Sequence, residues 1–178
     1  MIKKPKLKIF GGYKQAMNPA YLLIGGNLGN RQENLGRARR HIEKEAGAII
    51  KRSAIYETAA WGLTDQPDFY NQALRIETTL TPEQLMTVIL KIETTMGRIR
   101  QERYGPRIID IDILFYGAIV CDTPAVTIPH PRITERRFVL APLEEIAPDL
   151  IHPQLNKSIH ELLAATTDTS PVKKVTNS

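Results

Sequence analysis

Residues 97–116 read GRIRQERYGPRIIDIDILFY, four arginines running into two aspartates set two positions apart. On a β-strand successive side chains face opposite ways, so Asp110 and Asp112 share one face while Ile109, Ile111 and Ile113 share the other, which faces a core. Two carboxylates held side by side repel each other. A divalent cation relieves that cost, and hard oxygen ligands suit magnesium bridging to phosphate oxygens. Arg98, Arg100, Arg103 and Arg107 supply planar, permanently charged forks that can each grip a phosphate at two points. Gly97, Gly105 and Pro106 predict that the arginines lie on a mobile, hinged loop rather than in a helix. An acidic pair alone also describes the wet face of an edge strand, and an arginine run alone a solvated loop. Their adjacency points to a magnesium-bound polyphosphate.

The elements that must position these groups are legible from pattern. Ala20–Gly25 is an apolar run ending in glycines, a first strand feeding a loop over Gly26–Asn30. A helix is predicted from about Arg31, with Leu35, Ala38 and Ile42 at helical spacing, ending near Gly47. Ala48–Thr58 and Phe69–Thr79 read as two strands separated by a loop holding Trp61, Gly62 and Pro67. Thr81, Pro82 and Gln84 start a second helix with Leu85, Ile89, Ile92 and Met96 on one face, and Gly97 ends it. After the aspartate strand, a hairpin turn is predicted at Gly117, leading to Ile119 and Val120. Pro129 and Pro131 enforce an irregular segment before short helical pieces over Arg136–Ile146, and Ser158 with Glu161 caps a last helix, Ile159–Ala165. Strand, helix, two strands, helix, strand is an α+β order. It predicts a ferredoxin-like, mainly antiparallel sheet with helices packed on it, extended at the C-terminal end.

The length of 178 residues suits one domain, predicted over 20–166, between a flexible basic leader at 1–19 and a disordered polar tail at 167–178. The net charge of +5 suggests a nucleic-acid partner only until it is located. Lys3, Lys4, Lys6, Lys8 and Lys14 precede the first acid, Glu33, and removing those five from 24 basic residues leaves 19 against 19 acids. The leader lacks the apolar stretch of a secretory signal and the arginine and serine of a transit peptide. No apolar run approaches membrane-spanning length, and Cys121 is the only cysteine, so the expectation is a reduced, cytoplasmic setting with no membrane partner.

Weaker signals need weighing. Gly25, Gly26 and Gly29 have the wrong spacing for a dinucleotide fingerprint, and no Walker A sequence is present, so the arginines must do the phosphate binding. His130, between two prolines, can contact a phosphate or merely fix its turn. Trp61, Phe69 and Phe138 are ordinarily core residues. Asn71, two residues from Phe69 on the same strand face, could nevertheless meet the polar edge of a flat heterocycle stacked on an aromatic ring.

The chain closely resembles the hydroxymethyldihydropterin pyrophosphokinases of the folate pathway. The likeness runs through YLLIGGNLGNRQENL from Tyr21, YETAAWG from Tyr56, DQPDFYNQAL from Asp65, IETTMGRIRQERYGPRIIDIDILFYG from Ile92 and IPHPRITERRFVLAPLEEIAP from Ile128. It implies that Asp110 and Asp112 bind two Mg2+ ions bridging the phosphates of ATP, the co-substrate. Arg98, Arg100, Arg107 and Asp112 would be catalytic. Glu93, Arg100, Arg103, Tyr104, Arg107, Thr127, His130 and Arg136 would surround ATP. Thr58, Ala59, Trp61, Phe69, Asn71 and Phe138 would form the pterin pocket, with Asn71 reading the ring's polar edge. Tyr104, Phe69, Gly26 and the Ala59-Ala60 pair depart from common family residues, and the arginine loop is one residue shorter than in some relatives. None of these removes a metal ligand.

The implied reaction is transfer of diphosphate from ATP to 6-hydroxymethyl-7,8-dihydropterin, giving AMP, by a monomeric, stand-alone enzyme. Two rivals remain from the residues themselves. A γ-phosphoryl kinase would need the same metal and arginine groups. A non-catalytic RNA-binding module shares the ferredoxin-like scaffold, but the aromatic strand signature is absent and DIDI would set negative charge against a nucleic acid's phosphates.

Overall fold

The computed structural model describes residues 16–60, 65–98 and 105–176. Strand β1 (Asn18–Gly26) leads to helix α1 (Arg31–Glu45), strands β2 (Ala48–Arg52), β3 (Tyr56–Thr58) and β4 (Phe69–Thr78), helix α2 (Pro82–Thr95) and strand β5 (Asp110–Tyr116). Beyond these lie the short strands β6 (Cys121–Asp122) and β7 (Thr127–Ile128), helix α3 (Arg137–Ile146), strands β8 (Ile151–His152) and β9 (Lys157–Ser158), helix α4 (Ile159–Ala165) and strand β10 (Val172–Lys174). The main sheet runs β10-β3-β4-β1-β5, with β2 pairing β4 in line with β3, and each described pairing is antiparallel. This is the ferredoxin-like order expected from the sequence.

Local chemistry sets the helix ends. The Asn30 side chain accepts from the Glu33 N–H at 3.1 Å to start α1. Thr81 with Gln84 and Ser158 with Glu161 form reciprocal capping boxes that start α2 and α4, satisfying two otherwise orphaned N–H groups each. Helix α1 buries Leu35, Ala38 and Ile42, and α2 buries Leu85, Ile89 and Ile92, against Leu22, Ile24, Leu74, Ile76, Ile109, Ile111 and Ile113 on one sheet face. On the opposite face Tyr21, Leu23, Ala73, Leu114 and Phe115 pack against Val139, Leu140 and Leu143 of α3 and Ile159 and Leu162 of α4. A register shift between β1 and β5 passes from Leu22 opposite Ile113 to Tyr21 opposite Phe115, so Leu114 is an extra residue. That bulge turns Leu114 and Phe115 into the same core.

Three expectations need correction. Ala48–Thr58 is not one strand, because the Ser53 hydroxyl accepts the Ala73 N–H at 3.0 Å in place of a ladder carbonyl, and the chain is irregular until Tyr56. Gly117 does turn the chain, with φ +53, but Ile119 and Val120 stay exposed and unpaired by any strand. The strand that follows, β6, pairs with β7 and not with β5, because the short connection over 123–126 closes its own hairpin through Thr123 and Val126. The tail predicted to be disordered carries β10, which hydrogen-bonds along β3; a three-residue strand gains its order from this pairing rather than from any pattern in its own residues.

Gly47 closes α1 with φ +155, and an added Cβ would sit 2.4 Å from the Glu77 carbonyl oxygen, a backbone atom that cannot swing aside. Gly47→Ala is therefore expected to destabilise the chain by about 2 kcal/mol, read as a lowered urea midpoint with an unchanged slope.

Candidate active site

Strand β5 is the edge strand next to β1, and its register places Asp110 opposite Gly25 and Asp112 opposite Leu23. Both aspartates thus lie on the α3 face of the sheet, and Ile111 and Ile113, which alternate with them, lie on the α1–α2 face. Arg98 donates to Asp110 Oδ1 at 2.5 Å, and Arg107 Nη2 pairs with Asp110 Oδ2 at 2.8 Å. The other partner of Arg98 Nη1 is Glu93, at the end of α2 and only 3% exposed. Glu93 also accepts the N–H of Ile111 at 2.9 Å, so one buried carboxylate closes the outer edge of β5 and anchors Arg98. Burial works against the Arg98 charge, but Asp110 and Glu93 outweigh it and hold the guanidinium firmly protonated. Burial first, then the neighbouring Asp110, pushes the Asp112 carboxyl well above the usual carboxylate range, while Arg136 and Arg107 pull it down.

One strand away from Gly25 on its other side stands Asn71, so Asn71, Gly25 and Asp110 form one row across β4, β1 and β5. Two strand spacings put Asn71 and Asp110 on the order of 10 Å apart. Asn71 is 4% exposed and donates through Nδ2 to the Thr58 hydroxyl at 2.9 Å, tying β4 to the end of β3. Gly25 leaves room for this arrangement, since a Cβ there would lie 2.3 Å from Asn71 Oδ1. Phe69 lies opposite Thr58, and Phe138 packs on the core of the same face from the first turn of α3. The Arg107 guanidinium stands 5.0 Å from the Phe69 ring centre and that of Arg136 5.6 Å from Phe138. Phe69 and Phe138, both assigned to a ring pocket, thus each lie against an arginine assigned to the phosphates.

His130 donates its backbone N–H to Leu114 O and accepts the Arg132 N–H at Nδ1, 3.2 Å away. Burial, with Arg136 next, pushes its pKa down to about 4, so at neutral pH the ring is uncharged and carries its proton on Nε2 as a donor. Thr127 is exposed on β7 and gives its hydroxyl to Asp122 at 2.9 Å, engaged in its own hairpin. Ala59 follows β3 directly and is exposed. Trp61, Arg100, Arg103 and Tyr104 lie outside the described residues.

Sequence reasoning missed Asn27. It is 3% exposed; its Nδ2 donates to Gln66 Oε1 and Pro67 O, both at 2.9 Å, and its Oδ1 accepts the Arg107 N–H at 2.8 Å. One amide thereby clips the loop before β4 to the arginine that holds Asp110. The available signal was an asparagine placed directly after a glycine pair in a loop predicted to leave a strand end.

The family model described as 7,8-dihydro-6-hydroxymethylpterin-pyrophosphokinase (HPPK) matches residues 21–148. A 2-amino-4-hydroxy-6-hydroxymethyldihydropteridine pyrophosphokinase of Methylorubrum extorquens is 45% identical over 161 residues, covering 89% of this chain and 99% of that protein. The protein of the same name from Synechocystis is 39% identical, covering 85% of this chain and 77% of its own length. A folic acid synthesis protein of Pneumocystis carinii is 41% identical over 78% of this chain, which spans only 19% of that longer protein. A crystal structure of Plasmodium falciparum HPPK-DHPS superposes with a TM-score of 0.68 at 19% identity, covering 85% of this chain and 46% of the other, a likeness of fold. The chain belongs to the 7,8-dihydro-6-hydroxymethylpterin-pyrophosphokinase family.

Proposed function

We propose that the row Asn71, Gly25, Asp110 is where this chain carries out its family's reaction, the transfer of diphosphate from ATP to 6-hydroxymethyl-7,8-dihydropterin in folate synthesis. That row carries the reading because it sets a ring-recognition group and a polyphosphate-binding group one strand apart on either side of a residue without a side chain. A pterin seated over Asn71 between Phe69 and Phe138 would direct its hydroxymethyl arm across Gly25 toward Asp110. The hydroxyl oxygen then bonds to the β-phosphorus, the bond from the β-phosphorus to the α-phosphate oxygen breaks, and AMP departs while the hydroxyl proton passes to solvent.

The residues present fit magnesium. Among the described residues no cluster of three or more side chains that could hold a metal occurs. Asp110 and Asp112 supply two hard ligands whose mutual repulsion a cation removes, and phosphate oxygens complete the set, which is how magnesium is usually held. When bound, two such ions would neutralise charge on the polyphosphate. Arg98 and Arg107 are positioned by Glu93, Asp110 and Asn27 to meet transferred charge without reorganising, with Arg136 and the neutral His130 donor on the α3 side. Arg100, Arg103 and Tyr104 of the intervening segment would join them. Thr58 and Ala59 line the ring side together with Trp61, and Thr127 the nucleotide side. We place the enzyme in the cytoplasm as a monomer, since carboxylates, amide and arginines all come from one chain; no described helix is long and apolar enough to cross a membrane.

Incubation with ATP, magnesium and the reduced pterin alcohol should release AMP and pterin diphosphate in equal amounts. Accumulation of ADP would show γ-phosphoryl transfer instead, and no product would remove the reading. Asp110→Asn and Asp112→Asn should each lower magnesium-dependent AMP release on the order of a thousand-fold. Their effects on the ligand-free fold should differ. Asp110→Asn removes the partner of two arginines and lowers the melting temperature, whereas Asp112→Asn removes a disfavoured charge and leaves it unchanged or higher. Near-normal turnover in both variants would defeat the metal assignment.

Gly25→Ala should displace the Asn71 carboxamide from Thr58 and raise the KM for pterin about ten-fold, the worth of roughly one hydrogen bond, with the KM for ATP unchanged. Steady-state kinetics with each substrate varied in turn reads this directly.

A further inference from the structure

Strand β3 and the first turn of α3 carry the residues that the ring-side reading sets around Asn71. Strand β3 has three residues and ends at Thr58, and α3 starts at Arg137, between Arg136 and Phe138. Neither secures itself. The N-cap of α3 is Arg136, which makes no side-chain capping bond, and β3 would be a three-residue edge strand if β4 were its sole neighbour.

Both are completed by residues 166–175, which lie beyond the stretch matched by the family model. Thr166 donates its hydroxyl to Thr134 O at 3.2 Å, just ahead of α3. Asp168 then accepts the Arg137 N–H at 2.8 Å through Oδ2, supplying from 31 residues away the cap that Arg136 lacks. Its Oδ1 is held by the Ser170 N–H at 2.9 Å. Burial disfavours the Asp168 charge, but the bonds from Ser170 and Arg137 outweigh it and leave the carboxyl below its usual range, suited to a helix N-terminus. Next β10 pairs Val172 with Thr58 and Lys174 with Tyr56, and the Val175 N–H donates to Ile55 O at 2.8 Å. Lys174 finally meets Glu145 in the last turn of α3 at 3.3 Å, and Glu145 also accepts the Tyr56 hydroxyl at 2.7 Å and the Ala54 N–H at 3.2 Å.

We propose that Asp168 is a positioning residue, and residues 166–175 a strap, that hold β3 and the first turn of α3 at the separation pterin binding requires. This rests on the reading of Thr58, Asn71 and Phe138 as the ring side of the site. No hydrogen bond or ion pair of the strap reaches Asp110, Asp112, Arg98 or Arg107. Arg136 adjoins the capped turn, so the strap's loss should weaken pterin binding strongly and ATP binding only slightly.

The test uses the full chain with Asp168→Ala, the same chain with Asp168→Asn, and a truncation after Ser170. Circular dichroism first confirms the fold. Calorimetry then measures reduced pterin in the presence of magnesium and a non-hydrolysable ATP analogue, and the analogue alone. A lost cap makes binding reorder the first turn of α3, and loss of β10 leaves β3 a three-residue edge, so Asp168→Ala and the truncation should each raise the Kd for pterin roughly five-fold. Asp168→Asn keeps an acceptor oxygen and should restore most of that loss. Binding of the analogue should stay within about two-fold in all three, since of the ATP-side groups only Arg136 adjoins the strap. Unchanged pterin affinity in folded Asp168→Ala protein overturns the proposal, as does equal weakening of both ligands. Asn71→Ala separates the two levels. If it leaves pterin affinity intact, the ring-side reading itself fails; if it weakens pterin while Asp168→Ala does not, only the strap fails.

Discussion

The repulsion between Asp110 and Asp112 is the constraint around which this end of the molecule is arranged. Two residues along a strand stand about 6.6 Å apart, where two unit charges interact by about 2.5 kcal/mol at an effective dielectric of about 20, a sizeable share of the roughly 5–15 kcal/mol that stabilises a domain. The cost is met asymmetrically. Asp110 carries Arg98 and Arg107 on its two oxygens, while Asp112 is left to burial and to the more distant Arg136 and Arg107. Glu93 adds a third carboxylate that pushes Asp112 further in the same direction, while it orients Arg98 and satisfies the open-edge N–H of Ile111. An edge strand that would otherwise offer free ladder groups becomes a rigid mount for two ligands.

Arg107 joins this mount to the ring side. Its backbone is clipped to Asn27 in both directions, N–H to Oδ1 and carbonyl to the Asn27 N–H, its guanidinium bonds Asp110, and the same guanidinium lies over Phe69. Displacing the loop before β4 would thus pull on a phosphate-side arginine through a single buried amide. The ring side and the phosphate side are not independent pockets that happen to adjoin; they share a residue. Gly25 between them has the complementary part, since any side chain there would strike Asn71.

What could be read in the sequence was whatever is decided within a few residues. The Thr81–Gln84 and Ser158–Glu161 caps, the alternation through DIDIL and the glycine that ends α1 each carry their structural reason locally. The misreadings share the opposite property. Ser53 breaks a strand because its hydroxyl finds the Ala73 N–H on another strand, and Val172–Lys174 becomes a strand because β3 offers it an edge. Asn27, Glu145 and Asp168 are ordinary polar residues in the sequence, and each acquires its meaning from a backbone N–H at least 31 positions away. The site aspartates were legible by contrast, because like charges at alternate strand positions announce a cost before any partner is known.

The same sheet order serves non-catalytic modules that stack bases on an open sheet face, and the packing here works against that use. Helices α3 and α4 cover Tyr21, Leu23, Ala73, Leu114 and Phe115, the central residues of the face that an RNA-binding sheet would leave open. The bulge at Leu114 strengthens this cover by turning two successive residues of β5 into it. The apolar packing stops where β1 reaches Gly25, and from there the face carries a buried amide, a buried glycine and two half-buried carboxylates with arginines around them. A ligand admitted at that end meets groups suited to a flat polar ring on one side and to a cation-bound polyphosphate on the other. The additions after β5 therefore do more than thicken the fold: by closing most of one sheet face, they confine the chemistry to its end.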